Sequence, residues 1–111
     1  MPALKLDVTI EQGATFQREF TVTNPADSSP FNFAGFIFRG KLRDNKGNEL
    51  TTFDVSANTN KILAELSATK TAALKAGITY NCKYDIEAES NDGIVYRIAY
   101  GRGLVSEEQT H

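Results

Sequence analysis

The residues that could do chemistry in this chain are few. The sole cysteine, Cys82, and the sole histidine, His111, are its only candidates for a thiol nucleophile with an imidazole base. Cys82 alternates with Tyr80 and Tyr84, so we expect it to face the core, where a thiol behaves as a small, unreactive hydrophobe. His111 is the last residue, and one imidazole cannot build a triad or a histidine metal site. These residues predict no catalytic centre.

Three carboxylates recur at every second position, at Asp85, Glu87 and Glu89. Paired carboxylates can serve glycoside hydrolysis or calcium binding, but residues two apart on a strand also form ordinary solvent-exposed rows. The run 44–48 resembles a calcium loop, yet it lacks the terminal glutamate at the required spacing and reads better as a turn. We therefore expect no metal, no cofactor and no small-molecule substrate.

A basic row of Arg39, Lys41 and Arg43 lies on one face of its predicted strand. Arg97 and Arg102 extend this row if the strands that carry them pair. The simplest expectation is that the basic row lies beside the acidic row 85–89 on a neighbouring strand, as strands C and F do in an immunoglobulin sheet. Opposite charges across neighbouring strands are usual, and they would neutralise each other.

The elements that position these residues are β-strands. Residues 79–89 alternate between apolar and polar side chains, a turn cluster follows at 90–93, and a second alternating run covers 94–100, which together predict a β-hairpin. The other predicted strands cover residues 4–10, 16–22, 36–43, 50–55 and 62–66. A helical turn is predicted at 67–76, capped by Ser67 and ended by Gly77. The tail 101–105 should continue the last strand with a bulge at its glycines.

Strands recurring every ~8–12 residues predict an all-β fold, and seven to eight of them favour an immunoglobulin-like β-sandwich. We expect one domain over residues 1–111, with 106–111 frayed. Arg18 interrupts an apolar face and is expected near a sheet edge, while Gly40 should make room for a large neighbour. Tyr80 or Tyr84 is expected to bond backbone near the crossover between sheets, as in a tyrosine corner. The predicted core residues are Tyr80, Tyr84, Ile86, Phe16, Phe20, Phe36 and Phe38.

Composition excludes several classes of function. The formal net charge of −2 gives no basic excess of the kind that nucleic-acid binding usually needs. One cysteine excludes an intramolecular disulfide. No apolar run approaches the ~20 residues of a membrane span, and the start does not read as a signal peptide, so we expect no membrane and a soluble, reducing compartment before assembly.

Three segments in order carry a resemblance: LDVTIEQGATFQREFTV, PFNFAGFIFRGKLRDNKGNEL and ILAELSATKTAALKAGITYNCKYDIEAESNDGIVYRIAYGRGLVSEE. They resemble the β-sandwich domains of tailed-phage structural proteins, in particular the N-terminal domains of baseplate upper proteins. The matching positions are residues 13–16, 33–35 and 71–86, followed by the Asp92-Gly93 hairpin. Ala34 and Cys82 depart from the pattern, which usually has Ser or Thr at the first position and an aromatic residue or Val at the second.

The resemblance implies a non-enzymatic virion structural protein, made in the host cytoplasm and assembled into the particle. Its expected place is the tail, as a baseplate or fibre-attachment subunit that binds other virion proteins in several symmetric copies. A head decoration or neck protein is an alternative. A carbohydrate-binding adhesion module is a further alternative, which would need exposed aromatic residues on a concave face.

The two ends of the chain are the predicted partner contacts. The first strand and the tail would have free backbone groups if they flank the sandwich, and such edges are either guarded by charge or used for pairing. Lys5 and Asp7 guard the first strand, whereas the glycines of the tail would leave bare backbone. The predicted partner-binding residues are Gly101, Gly103, Leu104, Val105, Lys5 and Asp7.

Overall fold

The computed structural model describes residues 3–74 and 81–107. This part of the chain forms eight strands and one short helix. They are β1 (Leu4–Lys5), β2 (Val8–Glu11), β3 (Phe16–Thr21), β4 (Ile37–Asp44), β5 (Glu49–Asn58), β6 (Lys61–Leu66), α1 (Ala68–Ala72), β7 (Asn81–Glu89) and β8 (Val95–Ser106).

Two sheets face each other across the core. In the larger sheet, β8 lies between β7 and the pair β1 and β2, and β4 and the start of β5 follow on the other side of β7. The smaller sheet contains the end of β5 with β6 and β3. Strand β5 joins them, because its residues 51–53 pair with β4 and its residues 54–58 pair with β6. This arrangement confirms an immunoglobulin-like β-sandwich, with α1 at the crossover from β6 to β7 as expected.

The alternation of β7 decides which side chains enter the core. Cys82, Tyr84, Ile86 and Ala88 are all buried, and the residues between them face outward. Phe20 on β3 is also buried as predicted. The predicted inward phase is therefore confirmed for the residues described, while Tyr80 and Thr79 lie outside them.

Three of the predicted core phenylalanines are less buried than expected. Phe16, Phe36 and Phe38 are half-buried and pack against the core from its margins. The fully covered ring is Phe33, which lies in the corner before β4 and is 2% exposed. Its centroid is 5.3 Å from that of Phe36 and 5.7 Å from that of Phe38. An aromatic cluster thus closes one end of the sandwich.

The predicted first strand is broken at Leu6 and Asp7, which is a correction. The Leu6 N–H donates to the Tyr100 carbonyl at 2.9 Å, and the Leu6 carbonyl accepts from the Tyr84 hydroxyl at 2.5 Å. The Asp7 carboxylate then accepts from the Arg102 N–H at 3.0 Å. Side-chain groups therefore replace part of the backbone ladder, and the chain bends between β1 and β2.

This bend explains two further features. Gly101 lies so close to the Leu6 carbonyl that a Cβ atom would overlap it. Tyr84 does bond backbone, as one of the two tyrosines was expected to, but its acceptor is in the first segment of the chain and not at the crossover beside α1. The comparison with a tyrosine corner is therefore wrong for Tyr84.

The tail continues the last strand, but its bulge is not at the glycines. Gly101 and Gly103 pair regularly with Tyr84 and Cys82. The register shifts instead where Glu87 pairs with Arg97 and Ile86 pairs with Ala99, leaving one extra residue, Ile98. Because Ile98 and Ala99 are both buried, the bulge places two consecutive side chains in the core.

Arg18 and Gly40 lie where the sequence predicts. Strand β3, which carries Arg18, pairs with β6 on one side and with no other strand of the described chain. An inward-facing charge on an edge strand is a known guard against edge-to-edge pairing. Gly40 pairs with Phe53 on one side and Ile86 on the other, and an added Cβ would lie 2.6 Å from Ile86 Cδ1.

The helix cap predicted from the sequence is confirmed, but α1 and β5 differ in length from the prediction. The Ser67 hydroxyl accepts from the Lys70 N–H and caps α1, which ends at Ala72, earlier than predicted. Gly77, its predicted end, lies outside the described residues, as do 108–111 of the predicted frayed tail. Strand β5 runs on to Asn58, three residues beyond its predicted end, because it pairs with β6 there.

Replacing Gly40 by alanine should destabilise the fold. The new methyl group meets Ile86 Cδ1 at 2.6 Å and Phe53 Cβ at 3.1 Å, and we expect the free energy of unfolding to fall by about 1–3 kcal/mol, as for other overpacked cores. Urea unfolding of Gly40→Ala measures this. In an Ile86→Val background, which removes the Cδ1 atom, the same change should cost less. An unchanged unfolding midpoint for Gly40→Ala would contradict the packing described.

Tyr84→Phe should weaken the attachment of the first segment and alter the alkaline stability. Losing the hydrogen bond to Leu6 should lower the free energy of unfolding by about 1 kcal/mol. Burial raises the pKa of Tyr84 above its ordinary value. A raised folded-state pKa means that the stabilising contribution is complete below the unfolded-state pKa and is lost as pH rises through the folded-state pKa.

The measurement is urea unfolding at about pH 8 and about pH 11, on either side of the ordinary tyrosine pKa. The wild-type protein should lose more stability over this interval than Tyr84→Phe. The matched control is Tyr96→Phe, which changes a half-buried tyrosine in the aromatic cluster. Equal alkaline losses in the wild type and Tyr84→Phe would contradict the role given to the buried hydroxyl.

Candidate functional site

The outer face of the larger sheet collects most of the candidate residues. We use this term for the side of β4, β7 and β8 that points away from the core. It carries Arg39, Lys41, Arg43, Lys83, Asp85, Glu87, Glu89, Arg97, Tyr100 and Arg102. The pairing of β4 with β7 and of β7 with β8 brings these side chains together.

The acidic and basic rows neutralise each other in the middle of this face, as predicted. Arg39 contacts Glu87 at 3.3 Å and Glu89 at 3.0 Å, and Arg43 contacts Asp85 at 3.4 Å. The hydrogen bonds that Arg39 donates to Glu89 and, second, to Glu87 raise the pKa of Arg39 above its ordinary value. The three carboxylates are therefore held by arginines across the strands, and the expectation of cross-strand pairing is confirmed.

One row on this face does not alternate in charge. Arg43 pairs with Lys83, and Lys83 pairs with Arg102, so three cations lie side by side on three neighbouring strands. We call these three residues the cationic rung. Sequence reasoning included Arg43 and Arg102 but missed Lys83, because on its own strand Lys83 reads only as one basic residue beside an acidic row. The usable signal was its outward phase together with the strand register.

A groove of about 820 Å³ lies over the cationic rung. Its lining residues are Lys5, Asp7, Arg43, Asp44, Asn45, Gly47, Lys83, Tyr84, Asp85, Arg97, Tyr100, Gly101 and Arg102. Three of the predicted partner-binding residues, Lys5, Asp7 and Gly101, therefore belong to one surface. Leu104 is 45% exposed and lies outside the lining, while Gly103 and Val105 are buried.

The expectation of bare backbone in the tail is wrong. Residues 103–106 of β8 pair in parallel with β2 on one side, and residues 103 and 104 pair with β7 on the other. Gly103 is closed in, since an added Cβ would lie 3.0 Å from Leu42 Cδ1. The tail is an interior strand, so any contact through Leu104 uses its side chain. Whether the predicted residues bind a partner stays a prediction.

The loop at one end of the groove is held by its own carboxylate. Asp44 accepts from the N–H groups of Lys46 and Asn48, both at 2.9 Å. The bond from Asn48 is the main cause that lowers the pKa of Asp44 below its ordinary value. This confirms the predicted turn and shows that the carboxylate is committed to the loop.

At the other end of the outer face, large aliphatic side chains are exposed. Ile37 pairs with Glu89, and Glu89 pairs with Val95, so the two aliphatic residues flank one carboxylate in a single row. Ile37, Ile94 and Val95 are exposed to 66%, 51% and 46%. We call these three residues the apolar end.

Within residues 3–74 and 81–107, no group of three or more His, Cys, Asp or Glu side chains is placed to hold a metal ion. The helix described here is too short to cross a membrane. Cys82 is fully buried in β7, as predicted from its phase.

The comparisons with known proteins show similarity of fold alone. No protein-family model matches the chain, and no curated protein matches it. Among solved structures, fibronectin(III)-like modules of Clostridium thermocellum CbhA align at 9% identity over 98% of this chain and 94% of that one, with a TM-score of 0.46. A DUF4785 family protein of Legionella pneumophila aligns at 13% identity over 90% of this chain and 26% of that one, with a TM-score of 0.49.

We expect Cys82 to be unreactive towards a thiol reagent in the folded protein. Its side chain is 0% exposed, and reaction of a thiol requires access to the thiolate. Labelling should therefore require denaturant. The control is Ser56→Cys, which adds an exposed thiol on β5 and should label at once with one equivalent. Fast stoichiometric labelling of the native wild-type protein would mean that β7 has the opposite phase.

Proposed function

We propose that this chain is a non-catalytic β-sandwich module of a tailed-phage virion, acting by protein–protein assembly. Its proposed place is the tail, as a baseplate or fibre-attachment subunit. The sequence resemblance to the baseplate domains supports this, since the matching segments occur in the same order over nearly the whole chain. Gly13, Gly35 and Gly93, which belong to these segments, have positive φ in turns before β3, β4 and β8.

The observation that carries an assembly role is the apolar end. Ile37, Ile94 and Val95 form a group of exposed aliphatic side chains beside a charged sheet face. Grouped exposed apolar residues with a polar rim mark surfaces that bind other proteins. Covering these side chains in an assembly would remove them from water, which stabilises the contact by roughly 25 cal/mol per Å² of apolar surface.

The charges on the outer face favour a structural role over acid–base chemistry. Glu87 and Glu89 both contact Arg39, and Asp85 contacts Arg43. All three carboxylates are thus engaged by arginine side chains across the strands, and such charge-assisted pairs order the sheet face.

The test is to locate the chain in purified particles of the phage that encodes it. We expect mass spectrometry to find it in virions at a fixed number of copies, and gold-labelled antibody to mark the tail in electron micrographs. Labelling of the head would favour the alternative of a decoration or neck protein. Absence of the chain from purified virions would overturn the proposal.

Surface variants test which residues make the contact. Ile37→Ser and Val95→Ser should reduce incorporation several-fold while leaving the melting temperature within a few degrees, since both side chains are exposed. Lys61→Gln, an exposed change on the smaller sheet, is the control and should be incorporated normally. Loss of incorporation with Leu104→Ser alone would move the contact to the predicted C-terminal segment.

A further inference from the structure

The cationic rung is costly for the isolated domain. Arg43, Lys83 and Arg102 occupy directly paired positions on three neighbouring strands, and like charges directly opposite each other destabilise a sheet. Arg43 is partly compensated by Asp85 at 3.4 Å. In the described part of the chain, Lys83 and Arg102 make no ion pair through their side chains. Two cations are thus exposed and available for an external anion.

The rung is also bounded on its sides. Asp7, whose carboxylate accepts from the Arg102 N–H, lies at the β8 end of the row. Glu49 pairs with Arg43 at the other end and contacts Lys41 at 3.3 Å. The excess of positive charge therefore extends over three strands and stops at a carboxylate on each side.

We propose that the cationic rung binds a short acidic segment of a partner protein, with two carboxylates over the groove. The identity of the partner as a virion protein rests on the proposed function, whereas the chemistry of binding rests on the rung. Neighbouring strands lie about 4.8 Å apart, so the three Cα atoms span roughly 10 Å. Carboxylates on one face of an extended segment recur about every 7 Å, and two of them fit this span.

The surrounding carboxylates favour a short segment over a long polyanion. A nucleic acid or a sulfated polysaccharide that crossed the rung along this row would meet the Asp7 carboxylate at one end and the Lys41–Glu49 ion pair at the other, and neither adds net positive charge. A peptide can place its carboxylates over the cations and neutral side chains over the ends. The groove also offers Tyr100, with Arg97 5.6 Å from its ring centroid, as a surface for an apolar part of the same segment.

The test uses the full chain and an acetylated, amidated hexaglutamate peptide, with hexaglutamine as the neutral control. We expect calorimetric titration at low ionic strength to detect hexaglutamate binding that weakens with added salt. Lys83→Gln and Arg102→Gln should each weaken it about tenfold, as expected for a lost charge-assisted hydrogen bond. The matched control is Lys61→Gln, which removes an exposed lysine from the smaller sheet and should bind as the wild type does.

A second readout separates a binding role from a structural one. Lys83→Gln removes like-charge repulsion, so the melting temperature of the free protein should stay level or rise while the affinity for hexaglutamate falls. A residue that merely supported the fold would lower both. A fall in melting temperature with unchanged affinity would therefore overturn the proposal.

Three other outcomes would also overturn it: no binding of hexaglutamate, equal binding by the rung variants, or tighter binding of heparin or a single-stranded oligonucleotide than of hexaglutamate. These results are independent of the virion experiment. If the chain is absent from virions but hexaglutamate binds the rung, the proposed function fails and the binding chemistry stands. If the chain is in virions but hexaglutamate does not bind, the proposed function stands and the proposed binding chemistry fails.

Discussion

The register of β7 between β4 and β8 is the constraint on which the rest of the structure depends. A strand paired on both sides has its two faces fixed together, because a slip of one residue moves every side chain to the opposite face. Here one face supplies Cys82, Tyr84 and Ile86 to the core. The other presents Lys83 and Glu87 in line with cations on both neighbours. The core and the outer face are therefore two consequences of one pairing.

Close approach of the first segment to β8 decides where the sandwich has edges. Gly101 lets the Leu6 carbonyl approach, and the Tyr84 hydroxyl binds that carbonyl from inside the core. The last strand is covered as a result. Strand β3 is left as an edge of the smaller sheet, and there Arg18 interrupts the inward apolar face. This edge thus carries a charge of the kind that guards against edge-to-edge pairing.

Sequence reasoning succeeded where the cause was local. The hydroxyl of Ser67 and the carboxylate of Asp44 act within four residues of their own position, and the alternation of β7 is visible in its own letters. Its failures lie at positions where a distant partner decided the outcome. The apolar alternation continues through Leu6 without a break, and nothing in that run indicates that Asp7 will bind the backbone of Arg102. The rung was missed for the same reason, since Lys83 lies between two cations only through the register of β4 and β8.

The layout of the outer face has a physical consequence for any partner. On strand β7 the cationic rung is in line with Lys83 and the apolar end with Glu89, which places them roughly 20 Å apart at about 3.3 Å per residue. Between them, Arg39 and its two glutamates form an ordered, ion-paired surface. Binding at the apolar end is stabilised by burial of apolar surface, and binding at the rung is stabilised by opposite charge. A partner therefore needs apolar side chains at the first and carboxylates at the second. Because the two ends differ in kind, a partner that matches both can bind in one orientation, whereas a uniformly charged face would leave the orientation undetermined.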